Sequence, residues 1–114
     1  MDIEVAQQRE EAALVLLPVG RLDSTNARAF EDIMLEHLSN GERNLVVDFS
    51  RLVFISSSGM RVLLIVAKRL RASRGKLVLC SMQASIQEIF SISGFDKIIT
   101  VHTSQAEALA AFNR

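Results

Sequence analysis

The stretch from residue 46 to residue 60 constrains the fold of this chain more than any other part of its sequence. Its letters, VVDFSRLVFISSSGM, lead from an apolar strand through a serine-rich turn into a helix. The hydroxyls of Ser56, Ser57 and Ser58 therefore lie where strand becomes helix. The N-terminus of a helix carries free N–H groups and a partial positive charge, so it can hold an anion such as phosphate. A serine at that place can be a helix cap, a nucleophile or a phosphorylation site.

Apolar strands alternate with amphipathic helices along the chain, which predicts one α/β domain over residues 1–114. The predicted strands cover residues 3–5, 14–19, 45–49, 76–80 and 97–101. The first two are too close for a crossover, so we expect an antiparallel hairpin with residues 7–11 as its turn. The order β-β-α-β-α-β-α-β-α indicates a mainly parallel sheet with an N-terminal antiparallel edge strand and helices packed on the sheet.

Four helices are predicted from apolar spacing and from their start and stop residues. Asp23 or Ser24 is the expected cap of the first helix, and Gly75 and Gly94 end the second and third. The second helix begins at Ser57 or Ser58. Its inward face is predicted to consist of Met60, Leu63, Leu64, Ala67 and Leu70, and that of the third helix, over residues 82–92, of Ile86, Ile89 and Phe90. The last helix opens at residue 104 with the Ser-x-x-Glu spacing of a capping box.

Composition argues against nucleic acid as a direct partner. The chain has 13 Lys and Arg against 13 Asp and Glu, and it has no Trp and no Tyr, so nothing suggests an aromatic platform for bases. The basic stretch over residues 68–76 is interpreted as a solvated helix end. The single Cys80 excludes an internal disulfide and is predicted to be a buried strand residue.

Neither a targeting segment nor a membrane span is indicated. Residues 1–11, MDIEVAQQREE, are acidic and lack the apolar centre of a signal peptide. No apolar run approaches the roughly 20 residues of a transmembrane helix. We therefore expect a cytoplasmic protein. We also expect it to be a monomer on its own.

Enzymatic interpretations fit the sequence poorly. A nucleophile elbow needs Gly-x-Ser-x-Gly, whereas here Ser56 stands two residues before Ser58 and Gly59 follows it directly. Neither His37 nor His102 is placed by sequence beside the serines. With one Cys and two His in no metal spacing, we expect no metal site and no cofactor.

Three segments carry a resemblance to the STAS domain, which is shared by anti-sigma factor antagonists and sulfate transporters. They are the residues GRLD at 20–23, the stretch 45–60, and ISGFDKII at 92–99. The stretch 45–60 is similar to the family's central motif. That motif consists of an apolar strand and Asp, followed by a small helix-start loop with Ser-Ser-Gly and an apolar residue. Asp48 and residues 57–60 match it.

The resemblance implies a partner-switching protein regulated at Ser58, the serine before the motif's glycine, with Ser57 as the second choice. In its unphosphorylated form such a protein binds a serine kinase that is also an anti-sigma factor, and this frees the sigma factor. The kinase phosphorylates and releases it, and a metal-dependent serine phosphatase restores it. The implied partner-binding residues are Gly20, Arg21, Leu22, Asp23, Ser24, Ser56, Ser57, Gly59, Met60 and Arg61.

One position departs from the family pattern, and two other functions stay open. Many members have Asp two residues before the phosphorylated serine, whereas this chain has Ser56 and so lacks that negative charge. Loops that leave the carboxyl ends of adjacent parallel strands share one edge of the sheet, so residues 20–24 are expected beside residues 56–60. Asp23 therefore caps the first helix, orients the Ser58 hydroxyl or contacts the kinase. The alternative function is a STAS subunit of a membrane-associated transport or sensory complex that is not phosphorylated. A more distant one is a hydrolase that uses the serine loop.

Overall fold

The computed structural model describes residues 2–112, and within them the chain forms six strands and four helices. The strands are β1 (Glu4–Arg9), β2 (Leu14–Leu22), β3 (Asn44–Asp48), β4 (Leu52–Ile55), β5 (Lys76–Cys80) and β6 (Thr100–His102). The helices are α1 (Ala27–Ser39), α2 (Ser57–Ala72), α3 (Ala84–Ser93) and α4 (Gln105–Ala110), and a 3-10 turn covers Phe95–Lys97. The predicted α/β class with a mainly parallel sheet is confirmed.

The strands run in the spatial order β1-β2-β3-β5-β6, and β4 pairs with the end of β2. The β1–β2 pair is antiparallel, as predicted, and all other pairs are parallel. In such a sheet the loops that follow β2, β3, β4 and β5 lie at one edge, where parallel sheets usually bind ligands. This arrangement brings the serine-rich turn after β4 to the same edge as the loop after β2.

Both faces of the sheet are covered, which explains the nearly continuous apolar run of β3. Alternate strand residues enter two cores, since successive side chains of a strand point to opposite faces. The larger core packs Leu14 and Leu16 against α1, α2 and α3, whereas the smaller packs Val15 and Leu17 with Ala108 of α4. Cys80 is fully buried in the smaller core, as predicted, and burial raises the pKa of its thiol to about 11.

Three strand boundaries differ from the prediction by three or more residues, and one of them is the end of β2, which continues to Leu22 instead of residue 19. β1 extends through Gln7 to Arg9, so the tight turn of the hairpin lies at residues 10–13 instead of 7–11, closed by the Glu10 N–H donating to the Ala13 carbonyl at 3.0 Å. The final strand begins at Thr100 and not at residue 97, because residues 95–97 form the 3-10 turn after Gly94. The polar residues of this exposed edge strand show little alternation of apolar and polar side chains, so the sequence does not indicate the full length of β1.

Two further differences concern β4 and α3. The short strand β4 was not separated from the serine-rich turn in the sequence prediction, because only residues 49–51 part it from β3. On α3, Ile86 and Phe90 are buried as predicted, but Ile89 is 42% exposed, so its predicted inward position is wrong. Ile86 and Phe90 already fill the inward face at an i, i+4 spacing, and Ile89 lies beside that face.

The turn between α2 and β5 depends on a close approach at Gly75. The left-handed backbone conformation lies at Arg74, with φ +64°, and not at the glycine. A Cβ on Gly75 would stand 2.2 Å from the carbonyl oxygen of Arg43. The same carbonyl accepts the Lys76 N–H at 2.8 Å, which starts the pairing of β5 with β3. Gly75 is therefore needed to let the two strands begin side by side.

We predict that Gly75→Ala lowers the free energy of unfolding by about 2–3 kcal/mol, because the added methyl must displace a backbone carbonyl. Urea denaturation followed by circular dichroism measures the change. Lys76→Ala is the control: it alters an exposed neighbour, and its effect should stay within about 0.5 kcal/mol. Wild-type stability for Gly75→Ala would contradict the steric explanation.

Candidate functional site

The candidate site is built where the end of β2 meets the end of β4. Leu22 pairs with Ile55, and Arg21 pairs with Phe54, after an irregularity between Gly20 and Arg21. The ladder continues one residue beyond the strand, since the Ser56 N–H donates to the Leu22 carbonyl at 2.9 Å. The predicted proximity of residues 20–24 to residues 56–60 is thus confirmed by backbone hydrogen bonds.

Gly59 brings the first turn of α2 into direct contact with these strand ends. A Cβ at this position would lie 2.8 Å from Cγ of Leu22 and 2.9 Å from Cγ1 of Ile55. Both distances are shorter than real Cβ contacts, so a larger residue would push the helix away from the sheet. The Ser-Ser-Gly motif therefore needs a glycine for packing. This close contact fixes the distance between the preceding serines and the sheet.

Ser56 is the residue that caps α2. Its extended backbone places the hydroxyl where it accepts the Gly59 N–H at 3.3 Å, and its carbonyl accepts the Met60 N–H at 3.0 Å. The predicted start of the helix at Ser57 is confirmed, so Ser57 is its first residue and not its cap. Ser56, the position that departs from the family pattern, thus caps the helix, since a hydroxyl or a carboxylate at an N-cap can accept the same hydrogen bond.

Ser57 and Ser58 are the first two residues of α2 and can be reached from solvent. Ser57 is exposed and Ser58 is half-buried, whereas Gly59 and Met60 behind them are buried. No acidic side chain lies in the first turn of this helix. In the described part of the chain, the cap occupies the N–H groups of residues 59 and 60, which leaves those of Ser57 and Ser58 for solvent or an anion.

Asp23 forms local hydrogen bonds within the loop that follows β2. Its carboxylate Oδ1 accepts the N–H and the hydroxyl of Thr25 at 2.9 and 2.6 Å, and these bonds hold the pKa of the carboxyl below its usual range. The predicted capping role of Asp23 or Ser24 is wrong, because α1 begins only at Ala27 with Asn26 at the N-cap position. No hydrogen bond joins Asp23 to Ser58 among the described residues.

Asn26 is the residue of this loop that the sequence prediction missed. Its side chain accepts the Asp23 N–H at 2.9 Å and donates to the Arg21 carbonyl at 2.8 Å. One amide therefore ties both sides of the turn that leaves β2. The available signal was the preference of Asn for turns and helix starts, which result from such local bonds.

Arg21 presents an exposed positive charge near the end of β2. Its guanidinium carbon lies 4.1 Å from the centre of the Phe54 ring, and its Nε is 3.7 Å from Oδ2 of Asp23. The side chain is 60% exposed. Stacking on an aromatic face and pairing with a carboxylate both orient a guanidinium without removing it from solvent. Arg21 is thus held at the surface, directed by its own neighbours.

The predicted partner-binding residues divide into a surface group and a supporting group. Arg21, Ser24, Ser57 and Arg61 are exposed, and Gly20, Asp23, Ser56 and Ser58 are partly buried. Leu22, Gly59 and Met60 are buried, so the side chains of Leu22 and Met60 pack beneath the surface. Within residues 2–112, no group of three or more His, Cys, Asp or Glu side chains is placed to hold a metal ion. None of the helices in this range is long and apolar enough to cross a membrane.

We predict that Ser56→Ala lowers the free energy of unfolding by about 1 kcal/mol, the usual effect of losing an N-cap hydrogen bond. Ser57→Ala is the matched control, since it removes the adjacent, exposed hydroxyl, and its effect should be within about 0.5 kcal/mol. Urea denaturation of the two variants checks the assignment. If Ser57→Ala destabilises the protein as much as Ser56→Ala, the cap is not at residue 56.

The comparison with known proteins agrees with this geometry. Residues 4–108 match the STAS domain. A relative from Bordetella bronchiseptica, provisionally named the anti-sigma factor antagonist BtrV, is 39% identical over 110 residues, which are 96% of this chain and 95% of the relative. The chain therefore belongs to the STAS domain family.

Solved structures give the same fold at lower identity. A provisionally named anti-sigma factor antagonist from Thermotoga maritima superimposes with a TM-score of 0.92 at 21% identity, over 96% of this chain and 95% of that one. The Bacillus cell fate determinant SpoIIAA in its phosphorylated form superimposes with a TM-score of 0.72 at 20% identity, over 95% and 98% of the two chains. SpoIIAA in its unphosphorylated form gives 0.69 at 18% identity, over 92% and 91%.

Proposed function

We propose that this protein is an anti-sigma factor antagonist, a binding module that phosphorylation of Ser58 controls. The observation that carries the proposal is Ser58 itself, a reachable hydroxyl in the first turn of α2, directly before the packed Gly59. Two likenesses support it. The relative of 39% identity bears the name of an anti-sigma factor antagonist, and the structurally similar SpoIIAA has a phosphorylated form.

The proposed partner is an anti-sigma factor that is also a serine kinase, with a serine phosphatase as the opposing enzyme. The chain contributes a surface and an acceptor hydroxyl, and no chemistry of its own. Arg61 follows Ser58 by three residues on α2, so the two are neighbours on the helix surface. Arg21 and Ser57 are also exposed, and Leu22 and Met60 are buried beneath the start of the helix. The proposed location of this exchange is the cytoplasm.

Release is proposed to come from the charge and bulk of the phosphate. A phosphoserine adds about −1.5 to −2 charges at neutral pH. At the N-terminal end of α2 it meets the positive end of the helix dipole, which is favourable by roughly 0.3–1 kcal/mol at an exposed site. The helix therefore has no reason to melt. In a packed interface, the same phosphate lies against a partner surface that was complementary to a neutral hydroxyl, and this weakens binding.

The acceptor residue can be tested with a candidate anti-sigma factor kinase from the same genome. The chain is incubated with this kinase and ATP, and the products are analysed by peptide mass spectrometry. We expect one phosphate on Ser58, its loss in Ser58→Ala, and an unchanged rate in Ser73→Ala, which removes a serine at the far end of the same helix. Phosphorylation of Ser58→Ala at the wild-type rate would move the site to another serine, with Ser57 as the next candidate.

The switch itself can be tested by calorimetry with the same partner. Ser58→Asp should bind at least about tenfold more weakly than wild type, a difference of about 1.4 kcal/mol, because it adds a charge at the interface. Ser58→Ala should retain binding, and so should Ser73→Asp, which places the same charge at the other end of α2. Equal affinities for wild type and Ser58→Asp would contradict release by charge.

A further inference from the structure

A cavity lies between the C-terminal ends of α1 and α2, at the end of α2 opposite the candidate site. It has a volume of about 200 Å³ and opens to solvent. A cavity of about 150 Å³ is large enough to bind benzene, so this one has room for a small organic molecule. The residues that line it are Leu35, Leu38, Ser39, Arg43, Arg69 and Ser73.

The lining has two kinds of surface. Leu35 and Leu38 line it from α1 with apolar side chains, whereas the residues Arg43 and Arg69 line it from the loop before β3 and from α2. No acidic residue is among those that line it. A guanidinium offers five N–H donors in a fixed plane and binds carboxylate or phosphate oxygens in pairs. A ligand that matches this lining has an anionic head and a short apolar body.

The arginines are not needed to cap the two helices. The Asn40 N–H bonds to the carbonyls of Glu36 and His37 at the end of α1, and the Gly41 N–H bonds to that of Leu38. At the end of α2, the N–H groups of residues 73–75 bond to the carbonyls of residues 69–71. Backbone donors thus bond to the carbonyls of residues 36–38 and 69–71, so these carbonyls do not occupy the guanidinium groups of Arg43 and Arg69.

The acid nearest in sequence to Arg43 is already engaged elsewhere. Glu42 forms an ion pair with Arg9 of β1, and the hydrogen bonds of that pair lower the pKa of its carboxyl. Arg43 donates from Nη1 to the Glu42 carbonyl at 3.0 Å, which uses one of its five N–H groups. Residues 49–87, which include Arg69 and the flanking Arg71, Arg74 and Lys76, contain no acid. The charge around the cavity therefore has no internal counterpart on α2 or in the turn that follows it.

We propose that this cavity binds a small organic anion, in which a carboxylate or phosphate group pairs with Arg43 and Arg69 and a short apolar body packs on Leu35 and Leu38. This site goes beyond the proposed partner switch and does not depend on it. α2 has 16 residues and is about 24 Å long, so its C-terminal cavity and Ser58 are far enough apart for both to be occupied at once.

Amide chemical shifts of the full chain, titrated with hexanoate, phenyl phosphate, inorganic phosphate and the uncharged hexanol, test the proposal. We expect saturable shifts confined to residues 35–43 and 69–76 with hexanoate or phenyl phosphate. Whichever binds more tightly identifies a carboxylate or a phosphate as the preferred head group. Inorganic phosphate and hexanol each lack one half of the ligand and should bind at least about tenfold more weakly.

Arg69→Gln and Arg43→Gln should each weaken the binding of the preferred anion at least about tenfold, the effect of losing a charge-assisted hydrogen bond of about 1.4 kcal/mol. Arg71→Gln is the control, because it removes an exposed arginine of the same helix turn that does not line the cavity. Its affinity should stay within about twofold of wild type. No saturable shift with either organic anion, an equal loss in Arg71→Gln, or hexanol binding as tightly as hexanoate would each overturn the proposal.

Discussion

The contact of Gly59 with Leu22 and Ile55 is the constraint on which the candidate site depends. The distance from a Cβ at Gly59 to Cγ of Leu22 would be 2.8 Å, so only a glycine lets α2 begin this close to the sheet. The pairing of β2 with β4 sets the positions of both contacted side chains. Interiors packed at the density of crystals transmit such constraints and leave little freedom. Ser57 and Ser58 are therefore presented by a rigid support and not by a mobile loop.

That rigidity determines what kind of switch the site can be. The face of α2 with Leu63, Val66 and Leu70 is fully buried, and burying each such side chain contributes about 1.5–3 kcal/mol. A phosphate at the helix start changes the helix energy by less than this, and with a favourable sign. We therefore propose that the modification acts on the surface that a partner meets, while the sheet stays as it is.

Much of this arrangement could be predicted from the sequence because its signals are periodic. The apolar runs that became β3 and β5, and the spacing on α2, gave the fold class, and the carboxyl-end rule brought residues 20–24 beside Ser58. Local geometry was harder. The strand β4 has four residues and follows β3 after three, so no turn signal separated it. The predicted caps are displaced by one or more residues, because several residues that can cap a helix follow one another at 23–26 and at 56–58. Which of them bonds to the backbone, Ser56 or Asn26, depends on where the chain leaves the strand.

The cavity at the other end of α2 was not predictable, since residues of α1, α2 and the loop before β3 meet there only in the folded chain. The sequence showed the basic stretch, and a solvated helix end was a sufficient explanation for it. The structure adds that backbone donors already satisfy the carbonyls at both helix ends. Arg43, which comes from the loop before β3, joins Arg69 only through the tertiary fold.

We propose that phosphorylation changes a surface and leaves the fold intact, and the amide chemical shifts of the two forms test this proposal. Spectra of the unphosphorylated chain and of the chain phosphorylated at Ser58 are compared under the same conditions. We expect the differences to lie around residues 20–24 and 56–61, where the phosphate alters the electrostatic environment of the amides. Large shifts throughout β5 and β6 would show that the sheet itself responds, and they would contradict a rigid support.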